Sequence, residues 1–60
     1  TEWDKLVLKT GEEIPVDYIS TSKHGFHVRF LDEPDELVIP AYQVESLTSR
    51  WGEMLYPQNK

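Results

Sequence analysis

A chain of 60 residues with no cysteine holds one domain at most, and it excludes both disulfide stapling and thiolate metal centres. So small a domain buries only about 60% of the surface that its unfolded chain exposes, which leaves little volume for an enclosed reaction chamber. Eleven carboxylates against six lysines and arginines give a formal charge of -5, which opposes the attraction of phosphate backbones to basic surfaces and favours dispersal in water.

Leu6 and Leu8 alternate with Lys5, Val7 and Lys9, a period of two that predicts a first strand with one apolar face. Gly11, within Thr10-Gly11-Glu12, marks a reversal, because glycine takes the positive φ that tight hairpin turns require. On a second strand Ile14, Val16 and Tyr18 point inward and Glu13, Pro15 and Asp17 outward. Pro15 cannot donate to a ladder and belongs at an edge, a bulge or an unpaired outward position. Ile19 beside Tyr18 breaks the alternation and marks a bulge or bend. Turn-forming residues 20–25 lead into the clearest strand, with Phe26, Val28 and Phe30 on one face and His27, Arg29 and Leu31 on the other. The acidic link Asp32-Glu33-Pro34-Asp35-Glu36 turns the chain again, and residues 37–39 form a short fourth strand closed by Pro40.

After Pro40 two patterns compete. Residues 41–43 can form one helical turn before a fifth strand over residues 44–48; alternatively Val44, Leu47, Trp51 and Met54 or Leu55 fall at three-and-four spacing, the mark of an amphipathic helix. Gly52 costs about 1 kcal/mol relative to alanine inside a helix, and closure of a sheet removes hazardous edges. The expected fold is therefore all-β: a small, SH3-like, partly open barrel of four to five antiparallel strands with a short helical turn near residues 41–43. The alternative is a four-stranded sheet with a C-terminal amphipathic helix. Strand, glycine turn, strand, longer loop, strand, short link and then LVIPAYQVESL resembles the layout of SH3-like and Sm-like small barrels. That likeness is one of architecture, covers residues 4–48 and carries over no functional residue. No repeat or flexible linker interrupts the chain, so residues 1–60 read as a single domain with a tail from about residue 49.

His24 and His27 stand three apart. In an extended strand an odd separation sends them to opposite faces, about 10 Å apart, so they read as a turn histidine and an outward strand histidine rather than a metal pair. No metal, cofactor or small-molecule substrate is expected. The serines occur in turn or polar contexts, no nucleophile elbow or glycine-rich phosphate loop occurs, and no catalytic residue is proposed. Val7, Ile19, Leu31 and Val38 fall on outward phases, with Trp3 in phase with Val7, and form either a secondary core or an exposed patch.

The expected function is a non-enzymatic protein–protein interaction module, a small subunit or homo-oligomeric component of a larger assembly. Trp3, Trp51, Leu55 and Tyr56 would supply apolar contacts, and the acidic rim Asp32, Glu33, Asp35 and Glu36 would steer a basic partner. The runner-up is an acidic mimic of nucleic acid that inhibits a DNA- or RNA-binding protein. Weak nucleic-acid binding through Lys5, Lys9, Lys23, His27 and Arg29 ranks third, because Lys5, Lys9 and Arg29 project from comparable faces while the charge balance opposes it. Thr1 fits a chain that has lost an initiator methionine or has been trimmed there, and no basic-then-apolar leader or long apolar run follows. A soluble, cytoplasmic protein without membrane contact is expected.

Overall fold

A computed structural model describes residues 2–57; Thr1 and residues 58–60, the end of the expected tail, lie outside the described residues. The fold is all-β. Its strands are β1 (Asp4–Leu8), β2 (Glu13–Ser22), β3 (Gly25–Phe30), β4 (Glu36–Ile39), β5 (Val44–Thr48) and β6 (Met54–Tyr56), with a single 3-10 turn at Ala41–Gln43 between β4 and β5. All six belong to one open antiparallel sheet in the order β4-β3-β2-β1-β5-β6.

Side-chain alternation fixes which face is buried. Leu6 on β1 lies between Ile14 on β2 and Leu47 on β5, while Tyr18 pairs with Val28 and Val16 with Phe30. Directly opposed residues share a face of an antiparallel sheet, so these pairs line the concave side. The core there comprises Leu6, Val16, Phe26, Val28, Val44 and Leu47. A flat sheet could not bury them on one side; this one curls until β6 meets β3, with the rings of Tyr56 and Phe26 edge-to-face at 4.9 Å between centroids.

Glycine sets two of the sharp features. Gly11 has φ 96° and closes the β1–β2 hairpin, donating to the Leu8 carbonyl at 2.8 Å while the Leu8 N–H reaches the Glu12 carbonyl at 2.9 Å. Gly25, φ 136°, lies so close to the end of β4 that a Cβ would stand 2.2 Å from the Ile39 carbonyl oxygen. Pro15 opposes Lys5 just before the β2–β3 ladder begins at Val16, so its missing N–H disrupts no central pairing. The register shifts between Tyr18 and Ser20, which places a bulge at Ile19.

The C-terminal amphipathic helix does not form. β5 is held along its length by β1, and Gly52, φ 90°, reverses the chain where a helix would have continued. The sheet has six strands, not four to five: residues 54–56, expected in the tail, pair with β5 as β6. Three residues are too few to display an alternation, so no periodicity announces that strand. Among the described residues no helix is long and apolar enough to cross a membrane.

Candidate functional site

The site is built around Asp4. It shares the inward phase of Leu6 and lies opposite Val16, so β1 carries its carboxylate into the sheet, where it is only 5% exposed. A buried carboxylate is costly without partners, and this one is fully engaged. Oδ2 accepts the Tyr18 backbone N–H at 2.9 Å and Nη2 of Arg50 at 3.3 Å. Oδ1 accepts the Arg50 backbone N–H at 2.8 Å, with Nε of Arg50 at 3.4 Å. Nη2 of Arg50 also donates to Asp17 at 2.9 Å. Burial pushes the Asp4 carboxyl up, but the Arg50 guanidinium and the backbone N–H groups of Tyr18 and Arg50 outweigh it and hold the group below the ordinary carboxylate range. Arg50 is correspondingly raised, chiefly by its bonds to Asp4.

This knot anchors the turn between β5 and β6. Within the turn, the Ser49 N–H donates to the Glu53 carbonyl at 2.7 Å and the Gly52 N–H to the Ser49 carbonyl at 2.9 Å. The buried Ser49 hydroxyl accepts the N–H groups of Trp51 at 3.2 Å and Glu53 at 3.0 Å. The backbone beneath Trp51 is thus fixed from both sides, yet its indole is 83% exposed, with the Arg50 guanidinium 5.8 Å from the ring centroid. A large apolar ring held out on a hydrogen-bonded turn gives up little conformational freedom on contact with a partner.

Trp51 borders one shallow hollow with Tyr18, Glu53 and Leu55 and, on another side, the first of three that share lining residues. That hollow, about 400 Å³, runs between Trp51 and the half-buried Trp3 with Lys5 and Arg50 at its wall. The second, about 310 Å³, lies on the far side of Trp3 and is lined by Lys5, Glu13, Ile14 and Pro15. The third, about 360 Å³, continues from Ile14 and Pro15 to Phe30, Leu31, Asp32 and Glu33. Shared walls join them: Trp3 and Lys5 border the first two, Ile14 and Pro15 the second and third. Neighbouring hollows thus share lining residues in a series from Trp51 to the acidic corner, called the track below.

The candidate residues therefore divide. Trp3, Trp51, Asp32 and Glu33 border the track. Leu55 and Tyr56, named beside Trp51 as apolar contact residues, are half-buried and pack against the core, because β6 folds back over the sheet. Asp35 is exposed, and Glu36 is taken by the His27 Nδ1. The cationic group is partly spent as well: Arg29 lies 3.9 Å from Asp17 and opposite Glu36 on β4. His27 also bonds the Ser22 hydroxyl through Nε2 at 2.7 Å, and the backbone N–H of His24 donates to that hydroxyl at 3.2 Å. Among the described residues no three histidine, aspartate or glutamate side chains gather as metal ligands. Ile19, Leu31 and Val38 are exposed, whereas Val7 is half-buried, so the outward apolar residues form no second core.

Asp4 and Arg50 were not among the candidates. The available signal was the phase of Asp4, two residues before Leu6 on the apolar face, since a carboxylate on a core phase implies a buried partner. No family model, curated protein or solved structure matches the chain.

Proposed function

We propose that the protein is a non-enzymatic protein-interaction module, SH3-like and partly open as a barrel, that holds an extended segment of a partner protein along the Trp51–Trp3–Pro15–Asp32 track. The observation that carries this reading is the series of three neighbouring hollows that share lining residues, with tryptophans toward one end and carboxylates at the other. Hollows this shallow suit a backbone laid across the surface better than a small molecule, which needs an enclosing pocket. Apolar or aromatic partner residues would sit against Trp51 and Trp3, the residue type that dominates hot-spot contacts. Lysine or arginine residues would meet Asp32 and Glu33, which gives orientation and faster encounter.

The test is selection of random peptides on the intact chain. The expected peptides place aromatic or apolar residues before a basic pair, and Trp51→Ala lowers their affinity about tenfold or more, the loss of one hot spot. The double change Asp32→Asn with Glu33→Gln weakens them chiefly at low salt. Recovery of the same peptides by the Trp51→Ala protein, or no enrichment with the wild type, would overturn the reading. Salt-sensitive binding to a nucleic-acid-binding protein that survives Trp51→Ala would favour the acidic-mimic alternative instead.

A further inference from the structure

The sheet is open, and its two edges differ. β6 is three residues long and is followed at once by Pro57, which cannot donate to a ladder. Among the described residues β4 pairs with β3 in an unbroken register and with no other strand. Edge strands are ordinarily blunted by lysine, proline or a bulge, because their free N–H and C=O groups template pairing with another chain. β4 is itself short and is bounded by Glu36 and Pro40, but its three middle positions, Leu37, Val38 and Ile39, carry no charge, proline or bulge. Leu37 faces inward opposite Val28 and Val38 outward opposite His27, yet they are 40% and 43% exposed. Both faces of this edge thus leave apolar surface uncovered.

From this edge we infer that β4 pairs antiparallel with β4 of a second copy, about a two-fold axis at Val38. The sequence is self-complementary in that register. Val38 meets its own counterpart on the outer face, and Leu37 meets Ile39 on the inner face, twice by symmetry. Glu36 falls opposite Pro40, which has no N–H to donate and whose carbonyl already accepts the Gln43 N–H, so the pairing is confined to residues 37–39. Charge selects the direction. Asp32, Glu33, Asp35 and Glu36 all precede the apolar part of the strand, whereas residues 39–43 carry no charge. Antiparallel pairing sets each acidic end beside the uncharged end of the other copy; parallel pairing would stack the carboxylates of two chains that each carry -5. The sheet then runs continuously through both copies. Three paired residues per copy make a small interface, at the weak end of specific associations, so dimerisation is concentration-dependent.

The absence of cysteine permits a direct test. A Val38→Cys variant has its only thiol at the proposed axis, where opposed Cα atoms of an antiparallel pair stand about 4.5–5.5 Å apart, inside disulfide range. Under mild oxidation it is expected to form a covalent dimer at least about tenfold faster than Glu12→Cys, whose thiol lies on the exposed hairpin turn. Sedimentation equilibrium of the wild type should show a monomer–dimer equilibrium that Val38→Lys shifts to monomer, with the circular dichroism spectrum unchanged. Wild type that stays monomeric as its concentration is raised, equal cross-linking of the two cysteine variants, or a dimer that survives Val38→Lys would each overturn the proposal.

Discussion

Replacing Asp4 with asparagine changes one atom and should cost more than any surface substitution in the chain. Each carboxylate oxygen of Asp4 receives one backbone N–H, from Tyr18 and from Arg50. An asparagine offers one carbonyl oxygen and one NH₂, so either orientation turns a donor toward one of those N–H groups. Stranding a buried donor costs about 1–3 kcal/mol. The charge-assisted bonds to the Arg50 side chain weaken in addition, although that side chain is about a third exposed and keeps Asp17, which holds this second loss down. The sum is about 2–4 kcal/mol, a large part of the roughly 3–9 kcal/mol expected for a domain of this size. Urea denaturation monitored by tryptophan fluorescence measures it, as a fall in midpoint at constant slope. Asp4→Leu should do no better, since it leaves both backbone donors without an acceptor. A variant within about 0.5 kcal/mol of wild type, the range of ordinary surface changes, would refute the reasoning.

The same carboxylate sets a pH dependence: its folded pKa is depressed, so its contribution is complete above the unfolded value of about 3.9 and is lost as pH falls below that through the folded value. Acid unfolding curves should show this loss in the wild type and a shallower acid limb in Asp4→Asn. Gly25→Ala should destabilise by about 1–3 kcal/mol or more, because the new methyl meets the Ile39 carbonyl and φ is unfavourable; denaturant midpoints check it. Trp51→Ala should leave stability within about 0.5 kcal/mol while peptide binding falls, whereas Tyr56→Ala, which removes the ring packed on Phe26, should cost about 2 kcal/mol or more. Calorimetry on both variants separates the two tail aromatics. Ser49→Ala should cost about 1 kcal/mol, and the Trp51 fluorescence anisotropy should fall as the turn loosens.

Much of the architecture was legible because the chain obeys a period of two wherever a strand is half-buried. Leu6 and Leu8, Ile14 to Tyr18, and Phe26 to Phe30 declare their faces, and Gly11 declares its turn. The region after Pro40 was ambiguous for a physical reason: Val44 and Leu47, three apart, are compatible with a helix or with a bulged strand, and only pairing with β1 decides. β6 left no pattern because it is three residues long. Of the candidate site, the tryptophans and the acidic corner were visible as residue types, but their alignment along one track depends on Ile14 and Pro15, which read as ordinary strand positions. The Asp4–Arg50 knot joins residues 46 positions apart, and no local signal predicts such a partner. Leu55 and Tyr56 were grouped with Trp51 by proximity in sequence, whereas the turn at Gly52 folds them back as β6 against the core, where Leu55 still shares a hollow with Trp51.

The most direct measurement is a titration of isotopically labelled protein with a selected peptide, followed by amide and indole NMR shifts. The account predicts perturbations at the indoles of Trp3 and Trp51 and at the amides of Lys5, Ile14, Leu31, Asp32 and Glu33, with β4 unaffected. Perturbations centred on β4 or on the His27–Glu36 side of the sheet, with the two indoles unmoved, would contradict it.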